Sequence, residues 1–591
     1  MDSGIAVTPG NNPPWVRFGP ALGVALLALA AYATAIPNGF AQDDGRLIEG
    51  NPLIRSLENL PALFATDLFN GAYPAAMYYR PLVVASFALE YAVAGPTPFL
   101  HHLTNVLLHA LICVLVYALA KRLFASQSLA LVAAGLFAVH PVHTEAVAAI
   151  SGRGDLLGAG FMLAAALLYA KQPGRIAPGR LFGILSCITA ALLSKESSLV
   201  TLALFPLIDL VHPEARTQPW LFVAQRAIRE KALFWGGLAI VVVAYGITRE
   251  IVTASEFPTP QLGFMGDRHG GDAPLTLKLA TCAKLLGIYF KLLVFPYELS
   301  ADYDFNQIPL ANSLFSVSSI LPVLIALALV AAGIRWRRKH PALLFGIAFL
   351  LVGVLPVAFL LPFAHIPLAE RYLYLPSLGL CVAVGAIVDR VPARAQVASL
   401  VAVLLLLILP GAARTALRNR DWRDNDTLWE VTAETSPNSS KAQGNRALSL
   451  ATRAEAIQQS GGDALARELF QAAASHYERA VAIDPAVAPL RMQYGLCLAA
   501  LGRYERAESE LAAAAELGRV EALVALYRIL ITQSRLYAAS SPLRALGFQR
   551  RADQLFRERI QPASPREEAA RLAQELQALE RQLQHALASE P

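Results

Sequence analysis

From Ala21 to about Gly411 the chain is a succession of apolar runs separated by short polar loops. From Arg414 to Pro591 the apolar positions thin to stripes among Arg, Glu, Gln and Ala. A membrane-crossing helix needs about 20 mostly apolar residues. Runs near 18–36, 101–120, 127–140, 155–170, 181–194, 197–211, 232–249, 315–334, 341–361, 372–388 and 395–411 therefore predict about eleven spans. The stretch 277–295 is also apolar, but Lys278, Lys284 and Lys291 favour a helix lying in the interface. The fold class expected is all-α: a polytopic membrane helical bundle over 1–413, then a soluble solenoid over 414–565. A terminal amphipathic helix over 566–591 carries Leu572, Leu576, Leu579, Leu583 and Leu587 on one stripe, suiting a capping helix or a short coiled coil.

Composition agrees. The chain is 55% hydrophobic and 16% charged, where a soluble domain carries about 25% charged residues. The formal charge of +6 does not point to nucleic acid, because the basic residues cluster in short loops between spans. With the N-terminus inside, Lys121-Arg122, Lys171, Arg175, Arg180, Arg216 to Lys231, Arg335 to Lys339, and Arg390 with Arg394 all fall on the cytoplasmic side. The tail then lies outside, against the pull of Arg414, Arg418, Arg420 and Arg423. The extracytoplasmic loops are 37–98, 140–155, 194–198, 252–314 and 362–376. The five cysteines show no metal-like spacing and read as small buried hydrophobes. The first apolar run, from Ala21 to Ile36, reads as a retained helix rather than a cleaved signal. An Ala-rich composition without organelle signals suits a bacterial inner membrane.

The outer loops carry the chemistry. Right after the first span comes Phe40-Ala-Gln-Asp43-Asp44, and adjacent carboxylates at a membrane surface suit a general base, a divalent-cation site or a helix cap. Further along lie Tyr79-Arg80-Pro-Leu, His102-Leu-Thr-Asn105 with His109, and Phe137-Ala-Val-His140-Pro-Val-His143-Thr-Glu145. Then come Ser151-Gly-Arg153-Gly-Asp155, Ser194-Lys195-Glu196, Ala369-Glu370-Arg371-Tyr372-Leu-Tyr374, and Arg418-Asn-Arg-Asp421-Trp422. This ordered set resembles the transmembrane and tetratricopeptide-repeat O-mannosyltransferase family, within the glycosyltransferase C superfamily. The resemblance runs from about Asn38 to about Pro485. It implies transfer of a sugar, mannose in the family, from a polyprenyl phosphate to a Ser or Thr hydroxyl of a protein, with inversion. The base falls on Asp44 or Asp43, with Asp44 slightly favoured, and no metal is firmly implied.

A departing polyprenyl phosphate gains negative charge, so fixed cations near it stabilise the transition state. Arg371, Lys195, Arg153 and Arg80 are the candidates; the competing reading pairs Glu370 with Arg371 and Lys195 with Glu196 in structural ion pairs. His140, His143 and Glu145 invite a metal reading, but Pro141 breaks any regular helix there; lining the pocket or anchoring a loop are the alternatives. His102, Asn105 and His109 share one helical face and either line the cavity or join helices. Glu370 and Tyr372 complete the expected pocket. The stretch from Glu298 to Asp304 belongs to the long outer loop around the interfacial helix, and that helix, lying flat beside the cavity, suits a guide for donor entry.

In the tail, Ala473 with Ala507, Tyr477 with Leu511 and Ala480 with Ala514 recur at a spacing of about 34, the tetratricopeptide-repeat period. Such arrays bind peptides or partner domains, so the tail is expected to capture an acceptor protein, or else to pack or oligomerise. A lipid or polysaccharide acceptor is the runner-up. A lipid-linked-sugar transporter would show internal two-fold repetition, which is not seen. A membrane scaffold would not explain the polar outer loops.

Overall fold

The protein is described by a computed structural model over residues 14–69, 78–171, 174–254, 273–303, 306–359, 368–562 and 565–588. Among these residues every regular element is helical. They form two compact units, Met1–Tyr303 with Leu310–Leu428, and Asp304–Pro309 with Trp429–Pro591.

The first unit begins with α1 (Pro14–Tyr32), α2 (Pro81–Ala94), α3 (Pro98–Phe124) and α4 (Gln127–Val139). Pro141 stops α4, and the chain turns by 52° into the following helical residues, including α5 (Thr144–Ala148). Then come α6 (Arg153–Tyr169), α7 (Pro178–Ser194), α8 (Leu204–Val211), α9 (Trp220–Glu230) and α10 (Ala232–Thr253). The unit closes with α11 (Leu275–Val294), α12 (Val317–Trp336), α13 (Pro341–Phe359) and α14 (Ser377–Val388), and with α15 (Ala393–Trp422).

Among the described residues six helices are long and apolar enough to cross a membrane, and a seventh if the bent pair around Pro141 is one span. The shortfall from about eleven lies in helices that end early. α7 has 17 residues and α14 has 12, each below the about 20 of a straight crossing. The run 197–211 is broken into a 3₁₀ segment, Glu196–Ala203, followed by the eight-residue α8. The reading of 37–98 as loop missed α2, a 14-residue apolar helix. Its proline start needs no N–H at the first helical position, and Val83, Val84, Phe87 and Ala88 bury it. α13 and α14 meet at two glycines. A Cβ on Gly379 would stand 2.4 Å from the Gly346 carbonyl oxygen, so only small residues allow this approach.

The second unit continues as α16 (Ser440–Gln459), α17 (Asp463–Ile483), α18 (Ala488–Ala500), α19 (Tyr504–Glu516), α20 (Val520–Tyr537), α21 (Pro542–Leu555) and α22 (Arg566–Ala588). The recurring positions Ala473, Ala507, Tyr477, Leu511, Ala480 and Ala514 are all buried between paired helices. Gly502 and Gly518, which follow α18 and α19, take φ of +74° and +88°, a left-handed conformation that glycine adopts without penalty. Leu572, Leu576, Leu579 and Leu583 are buried in this unit's core, so α22 is the capping helix rather than a free coiled coil.

Candidate functional site

The acidic turn is held from several sides. Asn38 Nδ2 donates to the Asn419 carbonyl at 2.9 Å, and Gly39 N–H to the Arg423 carbonyl at 2.7 Å. Gln42 N–H donates to Asn425 Oδ1 at 2.8 Å. Gln42 itself sits at φ +54°, which is uncommon for a residue with a Cβ and marks a turn fixed by its surroundings. The motif from Arg418 to Trp422, at the end of α15, is thus part of the clamp on this turn.

The strained turn sends its two carboxylates to different places. Asp44 is fully buried. Its Oδ2 accepts from the N–H groups of Ala41 and Ile150, and its Oδ1 from that of Ser151 at 2.9 Å. Burial pushes its carboxyl up to about 7, with the Asp43 charge adding to it and those three backbone N–H groups opposing it. Asp43 is exposed and faces a cavity of about 500 Å³. Among the described residues, no cation pairs with it.

Three cations line the same cavity, and each is held by a carboxylate distant in sequence. Lys195 Nζ lies 2.5 Å from Asp155 Oδ2. Arg80 grips Glu196 with two hydrogen bonds, at 2.9 and 2.6 Å. Arg371 forms an ion pair with Glu145, whose other oxygen accepts the Arg371 backbone N–H at 2.9 Å. The adjacent pairs Glu370–Arg371 and Lys195–Glu196 considered above do not form. Burial lowers the Lys195 ammonium; Asp155 opposes the shift, and the neighbouring charges of Arg80 and Arg371 reinforce it. Burial would raise Glu196, but Arg80, Lys195 and a backbone hydrogen bond together outweigh it and hold the carboxyl at about 2. Tyr372 lies between two of the cations, its ring centre 5.3 Å from the Arg371 guanidinium and 6.0 Å from Lys195 Nζ. The remaining wall is largely apolar: Leu47, Leu68, Phe69, Val200, Pro356 and Val357.

Several other expected site residues stand behind this wall rather than in it. Arg153 is fully buried and bound to Glu90 at 2.9 Å, to Ser86 and to the His101 carbonyl, which uses up its donors away from the cavity. Asn105 Nδ2 donates to the Ala149 carbonyl at 2.8 Å, fixing the segment whose neighbour Ile150 binds Asp44. His102 Nε2 contacts the Gly39 carbonyl at 3.0 Å, behind the acidic turn. His140 caps the turn at Pro141 and reaches the Leu293 carbonyl. His143 meets Ser377 Oγ at 2.7 Å within an aromatic cluster of Phe137, His109 and Tyr374. Of the expected His140, His143 and Glu145 set, only Glu145 reaches the cavity. No group of three or more His, Cys, Asp or Glu among the described residues is placed to hold a metal ion.

Glu370 points away from Arg371. It accepts from Ser300 N–H at 2.6 Å and Tyr303 hydroxyl at 2.8 Å, with Arg418 at 3.9 Å. Burial raises its carboxyl to about 7, with Arg418 opposing the shift and Glu145 adding to it. Asp304 and parts of the loops 252–314 and 362–376 lie outside the described residues. Asp155 and Glu196, which line the cavity, and Glu90 behind it were missed from sequence; the first two stand beside the basic motif residues Arg153 and Lys195, whereas Glu90 has no such neighbour.

Comparison with known proteins agrees with the resemblance drawn from the motifs. The chain is similar to protein O-mannosyl-transferases. One from Caenorhabditis elegans is 27% identical over 71% of this chain and 58% of its own length. TMTC3 of Mus musculus is 28% identical over 70% of this chain and 47% of its own length. TMTC1 of Homo sapiens is 27% identical over 74% of this chain and 54% of its own length. The chain thus spans about half the length of the curated relatives it matches. Residues 464–530 match the tetratricopeptide repeat model. A looser likeness is to the crystal structure of ArnT from Cupriavidus metallidurans bound to undecaprenyl phosphate, at 16% identity and TM-score 0.38, over 75% of this chain and 81% of that one.

Proposed function

We propose that this chain is a membrane glycosyltransferase that moves a sugar, mannose by its relatives' names, from a polyprenyl phosphate to a protein hydroxyl. The observation that carries the reading is the cavity itself. It sets one unpaired carboxylate, Asp43, against Lys195, Arg80 and Arg371 within a wall that is apolar on its other side. Asp43 takes the proton of the acceptor hydroxyl as its oxygen bonds to the anomeric carbon. The bond from that carbon to the phosphate oxygen breaks, and the polyprenyl phosphate leaves with the electron pair. The three cations, already oriented by Asp155, Glu196 and Glu145, stabilise that charge without reorganising. The apolar wall suits the first isoprene units. A double displacement needs a second working carboxylate, and here the others are held by cations, which supports a single displacement with inversion. The repeat unit presents the acceptor, and the site works on the extracytoplasmic face.

The test is reconstitution of the full chain with polyprenyl-phosphate mannose or glucose, labelled in the sugar, and Ser- or Thr-containing proteins. Label is expected in protein from the mannose donor, and Arg371→Ala should lower the rate by about 10²–10³. Transfer only to lipid or polysaccharide would overturn the acceptor assignment. No transfer from either donor by folded protein would overturn the reading as a whole.

A further inference from the structure

At the other end of α6 from Asp155 lies a second cavity, of about 470 Å³, at the loops rich in Lys and Arg. The two are separated by the 17 residues of α6, about 25 Å at 1.5 Å per residue. Its volume is that of a small-molecule site, and its charge is unbalanced. Asp209 holds Lys231 at 2.5 Å, while Glu230 and Glu214 both hold Arg226, at 3.0 and 3.3 Å. That commits all three carboxylates in the wall to two cations. Arg122 donates only to the carbonyls of Ala170 and Lys171, and Arg216 to that of Val211. Lys171 also lines the cavity. None of these three forms an ion pair with a described residue, and five cations against three carboxylates leave the cavity wall with a net charge of +2.

The positive-inside rule accounts for cations on this side, but not for their convergence around a space. α9 supplies the context. One of its faces, with Val223, Arg226, Ala227 and Glu230, lines the cavity. Leu221 and Ile228 leave the helix the other way, 78% and 60% exposed. A short helix with a polar inner face and exposed apolar residues opposite it lies flat at a membrane surface, its apolar side among acyl chains. That places the cavity at headgroup depth.

We infer that this cavity binds the phosphate headgroup of an anionic phospholipid, held by Arg122, Lys171 and Arg216 with the acyl chains running past α9. A soluble phosphate would meet the same cations but would not use the apolar stripe. The test uses full-length protein in nanodiscs of mixed phosphatidylglycerol and phosphatidylcholine, with retained lipid counted by native mass spectrometry. Wild type should retain phosphatidylglycerol preferentially. Arg122→Gln, Lys171→Gln and Arg216→Gln should each lower the preference about fivefold, since a cation near an anionic surface contributes about 1 kcal/mol. Arg338→Gln, in another basic loop, should leave it unchanged. Should the two arginine variants fail to fold, Lys171→Gln, at an exposed position, carries the test alone. Equal retention of both lipids by wild type, or unaltered preference in folded Lys171→Gln, would overturn the proposal. Thermal stabilisation in detergent by free glycerol phosphate as large as that by phosphatidylglycerol would overturn it too, by assigning the cavity to a soluble anion.

Discussion

At the scale of single residues, two neighbouring aspartates have separate work. Asp44 spends its oxygens on three backbone N–H groups, leaving Asp43 to face the cavity. The buried Asp44 gives a prediction in pH. Its carboxyl titrates at about 7 in the folded protein, against about 3.9 in an unfolded chain. Between those values the folded protein keeps a proton that the unfolded chain has released. Its contribution to stability is therefore complete below about pH 4, declines as pH rises, and is lost above about 7. Melting of the purified protein should follow that slope, flattened in Asp44→Asn and, because Glu370 is raised likewise, in Glu370→Gln. A Cβ on Gly152 would stand 2.3 Å from the Ala146 carbonyl oxygen, beside the Ser151 N–H that binds Asp44. Gly152→Ala should cost about 1–3 kcal/mol of stability, measured by thermal denaturation. Much of the cavity was legible at this scale: Asp43, Arg80, Glu145, Lys195, Arg371 and Tyr372 all lie in the outer-loop motifs that carry the resemblance. The burial of Asp44, and the partners of the cations, were not. Arg80 meets Glu196 across 116 positions, and nothing local in sequence encodes such a pairing.

At the scale of elements, the cavity depends on where helices stop. Pro141 ends α4 and opens the turn from which Glu145 reaches Arg371, and Lys195 directly follows the last residue of α7. The long apolar helices were legible because their pattern repeats over more than a dozen residues. The short ones were not, since α2 and the broken run 197–211 fall near or below the length at which apolar content alone tells a span from a buried segment. Close approach is the other requirement. Gly379→Leu would force α14 off Gly346, where even a Cβ would stand 2.4 Å from the carbonyl oxygen. We predict a loss of about 1–3 kcal/mol, visible as a lower melting temperature, whereas Gly379→Ala should cost less.

At the scale of the whole molecule, the chain combines a helical membrane unit with a helical repeat unit. The sidedness proposed from loop charge predicts that Leu543→Cys, at a position 77% exposed, is modified by an impermeant thiol reagent added outside; labelling only from the cytoplasm would reverse the topology. The repeat period was legible because buried Ala473 and Ala507 recur at fixed spacing, whereas the lipid-level cavity beneath α9 was not, since its cations lie in loops that charge counting treats alike. On the function proposed, the cavity facing Asp43 is the active site of a glycosyl transferase. Its most direct test is the rate of labelled sugar transfer from polyprenyl-phosphate mannose to protein by wild type, Asp43→Asn and Asp44→Asn, each checked for folding by melting temperature. Asp43→Asn should melt near wild type but lose transfer by at least about 10², while Asp44→Asn should lose stability. Wild-type transfer by Asp43→Asn would contradict that assignment.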